Sequence, residues 1–307
     1  MNPARWPSLP YDSWRATCDT LHAHAQVLGK LAVALAPPEP QLQHGALHLT
    51  ARGWETNPLP APDRSGSVVI ALDLHRHQAV AEHSNGRTHS VALAPDRPVA
   101  DVTHELLAAV NDLVGAVSIN TTPQETPWTA PLDEDVDHTT YDFAQVETYF
   151  AAATHAALVL AAIRAPYRGR ATPVNAWWGS FDLAVSLFSG RSVEPPSHGF
   201  ITRNSADAEQ IEIGWWPGDV RHPRAAFFAF AYPAPPGLEG GIVSPSAAYW
   251  DSELGEYILD LDDVLGTSDP HETAVEFGRS VIRHASAVCE WDHDLATSID
   301  SIPPPLI

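Results

Sequence analysis

Three side chains in this sequence could move protons in one site: His22, His138 and Asp182. An imidazole titrates near neutrality, and a carboxylate beside it in a partly dry pocket acquires a pKa suited to proton transfer. Asp182 stands inside PVNAWWGSFDLAVSLFSGR, residues 173–191, a run with two tryptophans, two glycines and one acid. An acid buried alone is costly, so Asp182 must be paired, hydrogen-bonded or reached by water. A second set, His44, Asp73, His77 and His138, offers imidazole and carboxylate ligands to a metal ion. Asp73, His75 and His77 alternate along one strand, although the solvated face of an antiparallel strand looks the same in a chain with 16 histidines. Trp177, Trp178, Trp215 and Trp216 could wall a ligand pocket, with Arg191 and Tyr141 as polar handles.

The elements that must position these groups follow from periodicity. A helix starts near Asp12 or Ser13 and runs to Pro37, with Trp14, Cys18, Leu21, Ala25, Leu28, Ala32 and Leu35 as its apolar stripe. His22 and Gln26 lie one turn apart beside that stripe, at the border of the core. GALHLTARGW reads as one strand, and SVVIALDLHRH, QAVAEHS and THSVAL as a meander turning at Asn85 and Gly86. A second helix spans 96–117, followed by a short strand SIN. TTPQETPWTAPLDEDVDHTT is a long loop whose Glu134, Asp135 and His138 form its strongest polar cluster. A third helix follows Tyr141 and Asp142 and is apolar around much of its circumference. From Trp177 to Phe188 the pattern predicts one strand, with a bulge at Gly179 and a turn at Gly190. Three more strands and a helix from about Pro270 to Trp291 complete the chain. The fold class is α+β, antiparallel sheets packed with long helices.

Composition narrows the function. With 307 residues and 44% hydrophobic content the chain can bury a large core. A net charge of -21 argues against nucleic acid or anionic lipid as main partner, since both require a basic footprint. Lys30 is the one lysine among 17 basic residues. No apolar run of bilayer-crossing length and no signal peptide is expected, so the cytoplasm is the default location. Cys18 and Cys289 match neither a disulfide framework nor a zinc spacing.

The two halves share an order. Tyr11-Asp12 and Tyr141-Asp142 each start a long helix ending in Ala-Pro. An Arg-Gly pair follows at Arg52-Gly53 and at Arg168-Gly169, then a hydrophobic-Asp-Leu strand at 72–74 and at 181–183. An internal duplication predicts one compact unit over 1–307, with pseudo-halves 1–130 and 141–307 joined by the acidic Pro/Thr-rich loop. Asp73 and Asp182 would then be equivalent, with a pocket between the halves.

WPSLP, TLH with Gln26 and Gly29-Lys30, TARG, the EDxxHxxYD cluster, WGSFDLA with FSGR, WWPGD, AYPAPPG and LGEYIL occur in order along almost the whole chain. In these it resembles a bacterial family of unknown function, DUF5996, as a divergent member. The resemblance implies no activity. It implies matching residues at His22, Gln26, His44, Asp73, His77, Glu134, Asp135, His138, Tyr141, Asp182, Arg191 and Glu209. It also implies a His where Asn175 stands, a His-Trp-Trp-His run at 41–44 in place of Gln41, Leu42, Gln43 and His44, and an Arg in place of Leu187.

GxSxG, P-loop, dinucleotide-glycine, HExxH and CxxC motifs are missing. The reading reached is a small-molecule pocket protein, an enzyme using His22, His138 and Asp182 in a Trp-lined pocket. A non-catalytic small-molecule binder, a metal-dependent enzyme and an interaction scaffold are the alternatives. The sequence names no cofactor, substrate or oligomeric state.

Overall fold

A computed structural model describes residues 6–197 and 199–300. In chain order the elements are α1 (Tyr11–Leu35), a short 3-10 segment (Pro40–Gly45), β1 (Leu47–Thr50), β2 (Gly53–Thr56), β3 (Leu59–Pro60), β4 (Ser67–Asp73), β5 (Gln78–His83) and β6 (Thr88–Ala92). Then come α2 (Val99–Val114), α3 (Phe143–Arg164), β7 (Asn175–Trp177), β8 (Asp182–Ser192), α4 (Phe200–Ser205), β9 (Ala208–Trp216) and β10 (Ala226–Tyr232). The chain continues through β11 (Tyr249–Asp251), β12 (Glu256–Asp260), α5 (Leu261–Leu265), α6 (Pro270–Val288) and α7 (His293–Ser298). The class is α+β with antiparallel pairing, as the alternating strands and the helical stripes require. By contacts the chain divides into two compact units with interleaved segments, one holding Asp12–Phe150 and Asn175–Phe181, the other the described parts of Met1–Tyr11, Ala151–Val174 and Asp182–Ile307.

In the first of these units the strands run β7-β1-β2-β4-β5-β6, with β3 on β4. The β1–β2 hairpin closes at Gly53, whose φ of +142° and 2.1 Å approach of a would-be Cβ to the Leu72 carbonyl oxygen demand glycine. Helix α2 lies on β4, β5 and β6 through Leu106, Val110 and Leu113. Helix α1 is buried nearly all round from Thr17 to Ala32, its apolar stripe and its polar residues alike. Those polar residues therefore need protein partners, a requirement that shapes the site.

In the other unit the strands run β11-β12-β10-β9-β8. One sheet face carries Leu183, Val185 and Leu187, then Ile211, Ile213 and Trp215, then Phe227 and Ala229, all buried. Helix α6 covers this sheet and meets the end of α3 closely, because a Cβ at Gly278 would stand 2.5 Å from Ile163.

Several expectations need correction. The continuous strand from Trp177 to Phe188 is interrupted by a turn at 178–181, and Phe181 there has a φ of +59°. Gly179 is thus a turn residue and Gly190 sits in a bulge where the β8 register shifts, the reverse of what was expected. Asp73 ends β4 before a four-residue turn, whereas Asp182 begins β8 after one, so the two are not equivalent. GALHLTARGW is not one strand: His44 is in the 3-10 segment and β1 and β2 form a hairpin. Residues 118–120 form no strand. The apolar run of α3, Phe143–Arg164, is long and apolar enough to cross a bilayer by length and composition, with half of its most apolar window buried.

Candidate functional site

The buried polar face of α1 dictates the site. Its residues Asp19, His22, Gln26 and Lys30 follow at helical spacing, and the long irregular segment 115–142 supplies their partners. Gln26 closes a two-way pair with Gln124, its Nε2 donating to the Gln124 carbonyl at 2.8 Å and its Oε1 accepting the Gln124 N–H at 2.9 Å. Lys30 Nζ donates to the Thr122 carbonyl at 2.6 Å. Trp128 lays its ring against both His22 (5.0 Å between centroids) and His138 (4.6 Å).

His138 is held from two directions. The carbonyls of Asp135 and His138 accept the first-turn N–H groups of Ala100 and Val99, so the loop caps α2 and is fixed by it. Within the turn, Asp135 Oδ1 accepts the backbone N–H of Asp137 and of His138, each at 3.1 Å. Its Oδ2 accepts from His138 Nδ1 at 2.6 Å. The carboxylate is 2% exposed and the imidazole 21%. A buried carboxylate bonded to Nδ1 fixes the tautomer and turns Nε2 away from that bond. Nε2 of His138 has no hydrogen-bond partner among the described residues.

Two neighbours add charge control. Burial raises the pKa of Asp19 on α1, an effect partly offset by the charges of His138 and Arg15. His24, 3% exposed, is held neutral at a pKa of about 3, by burial first and then by the Arg97 charge. Its Nδ1 has no partner among the described residues. Beside this cluster an open groove of ≈ 420 Å³ is lined by Pro95, Asp96 and residues 140–144. Tyr141 on its wall reaches His77, with its hydroxyl 3.5 Å from Nδ1, and the His77 ring stacks on Phe143 at 4.3 Å. Burial, then the Asp73 charge, pushes the Tyr141 phenol well above its ordinary range.

The other expected residues are placed differently. His22 is buried, not at the core border: its Nε2 is 2.9 Å from the Trp178 carbonyl and 3.0 Å from that of Gly179, so it donates to the 178–181 turn. Its ring stacks on Phe181 at 4.9 Å. Its role is to clamp that turn onto α1. Asp182 is buried at the start of β8, in the other unit. The expected metal set is not assembled: among the described residues no three His, Cys, Asp or Glu side chains stand together to hold an ion. His44 Nδ1 accepts the Glu39 N–H, Asp73 Oδ1 accepts the N–H groups of His75 and Arg76, and His138 is paired as above. Trp178 and Trp215 are 1% and 0% exposed, so their rings belong to the core and not to a pocket wall. Trp216 is also buried, against Phe228 and His222, and Trp177 is half-buried. Arg191 is engaged by Glu209 and by the Cys289 and Glu290 carbonyls at the end of α6.

Asp19 and Trp128 were missed by sequence reasoning. Asp19 was legible as the residue one turn before His22 on the same helix face. Trp128, alone in a Pro/Thr-rich loop, carried no spacing signal. A second buried carboxylate-histidine pair was also missed: His222 Nε2 lies 2.7 Å from Asp260 Oδ1, and Arg224 donates to Oδ2 at 2.6 Å. Two positions where the resemblance implies other residues meet in space, Asn175 Nδ2 donating to Gln43 Oε1 at 3.0 Å. No curated protein and no solved structure matches the chain. A model described as a family of unknown function (DUF5996) matches residues 6–298, and the chain belongs to that family.

Proposed function

We propose that this protein is an acid-base enzyme acting on a small organic molecule, with His138 as the proton-transfer group and Asp135 as the carboxylate that orients it. The 2.6 Å bond between Asp135 Oδ2 and His138 Nδ1, on a ring left partly exposed beside Trp128, carries this reading. Nε2 takes a proton from the substrate as the Asp135 carboxylate steadies the imidazolium that forms. Asp19, whose carboxyl is made less acidic by burial, is the second group within the field of His138 and serves as the proton donor. Trp128 supplies an apolar face. The compartment proposed is the cytoplasm, in keeping with free thiols at Cys18 and Cys289.

The test is a thermal-shift screen of small organic acids, esters and amides, followed by turnover assays on those that stabilise the protein. A compound turned over by the wild type, with turnover lost in His138→Gln at unchanged stability, is the expected outcome. Turnover equal in both proteins would refute the role of His138. A second reading, non-catalytic binding, is favoured by the groove walled by Tyr141 and Phe143. It predicts a stabilising compound that is never transformed, with affinity weakened in Phe143→Ala.

A further inference from the structure

Sixteen of the 17 Lys and Arg side chains are arginines, and the one lysine, Lys30, is only 7% exposed. Among the described residues its Nζ has one hydrogen-bond acceptor, the Thr122 carbonyl at 2.6 Å, and it lies 5.3 Å from the centre of the Trp178 ring. No carboxylate forms an ion pair with it among the described residues. An ammonium has three N–H donors, and here a single carbonyl and an aromatic face meet them. Burial of an ammonium that has no carboxylate partner favours the neutral amine, whose lone pair is a nucleophile, and the carbonyl and the aromatic face offset that only in part. Burial lowers the Lys30 pKa to about 8, in agreement with that geometry. Thr122, whose backbone carbonyl meets the amine, is itself exposed.

We propose that Lys30 is a nucleophilic amine that takes up a small aldehyde or ketone as an imine, at the seam between α1, Trp178 and the Thr122 carbonyl. The Nζ lone pair adds to the carbonyl carbon. The carbonyl oxygen then leaves as water, carrying one of the two amine protons and one proton taken from solvent, and a C=N bond replaces C=O. The protonated imine keeps one N–H for the Thr122 carbonyl and places its positive charge against the Trp178 face. An arginine would not serve, because it stays protonated and offers no lone pair. The site is independent of the Asp135–His138 pair and stands or falls separately.

The chain's single lysine makes the test direct. Native protein is treated with acetaldehyde and cyanoborohydride across pH 6–10, and ethylation is mapped by peptide mass, with the α-amino group as internal standard. At pH 7.5 Lys30 is expected to react at least about tenfold faster in the native protein than in guanidinium, with a rate that levels off above about pH 8, because an ordinary lysine is almost wholly protonated there. Lys30→Arg, which keeps the charge and the Thr122 bond, should lose that adduct and retain only the α-amino one. Labelling of Lys30 no faster in the native than in the unfolded chain, or a rate still climbing at pH 10, would overturn the proposal.

Discussion

The described residues contain the same buried chemical pair in two settings, Asp135 with His138 in one unit and Asp260 with His222 in the other. Both carboxylates are buried, at 2% and 6% exposure, and both imidazoles have a tryptophan ring beside them, Trp128 at 4.6 Å and Trp216 at 5.4 Å. The difference lies in the third partner. Asp135 is completed by neutral backbone N–H groups, so its charge is left to act on His138. Asp260 also accepts from the Arg224 guanidinium at 2.6 Å, so its charge is already compensated. The imidazoles differ too, at 21% exposure for His138 against 8% for His222. On the proposed reading, a carboxylate-histidine pair can act as a working group where the ring stays reachable and the carboxylate has no rival cation. Where a guanidinium shares the carboxylate and the ring is enclosed, the same pair is a clamp joining the 217–225 segment to β12.

Substitutions should separate the two pairs. The largest effect is expected from His138→Gln, a fall in turnover of about 10²–10⁴-fold with little change in unfolding free energy, read from steady-state kinetics beside denaturant titration. Asp260→Asn should do the opposite. It strands His222 and Arg224 and removes about 3 kcal/mol of stability, read from denaturant unfolding, while turnover at His138 persists. A gentler test uses Glu256 in the same unit as the clamp. Burial first, then the nearby Glu212 charge, raises its pKa from 4.5 to about 7, with Arg221 opposing and Asp251 and Asp219 reinforcing. A carboxyl with a raised folded pKa contributes stability that is fully present below its unfolded pKa and is lost as pH rises through the folded value. Stability should thus decline between about pH 4.5 and pH 7 by up to roughly 3 kcal/mol, and Glu256→Gln should flatten that decline. The smallest effect should come from Gly29→Ala, whose new Cβ would stand 1.9 Å from the Trp178 ring and force it aside. That overpacking costs about 1–3 kcal/mol, read from a thermal midpoint.

How much of this was legible in the sequence depends on what each residue answers to. Helices α1, α2, α3 and α6 were legible because Trp14-Cys18-Leu21-Ala25 and Leu106-Val110-Leu113 repeat at helical spacing and are buried as that spacing requires. The β4–β6 meander was legible because Asn85-Gly86 marks its second turn. The turn at 178–181 was not, since Trp178 and Phe181 are as apolar as the strands on either side and carry the turn by packing on Gly29 and His22 of α1. His138 was legible as a polar group in an acidic loop, and Asp135 with it. The roles of His22, Lys30 and Gln26 were not, because α1 is buried on its polar side as well as its apolar one. Only the long loop laid along that side reveals which backbone groups they meet. His222 and Asp260 are 38 residues apart in sequence, and strand pairing alone brings them together.

The central claim is that the Asp135–His138 pair does chemistry and the Asp260–His222 pair does not. The most direct measurement compares His138→Gln and His222→Gln in the same turnover assay, on one compound that the wild type transforms, with unfolding free energies taken alongside. The account predicts that turnover collapses in His138→Gln at wild-type stability, and that His222→Gln loses stability while its folded fraction turns over normally. Equal turnover in the two variants, or a loss confined to His222→Gln, would contradict it.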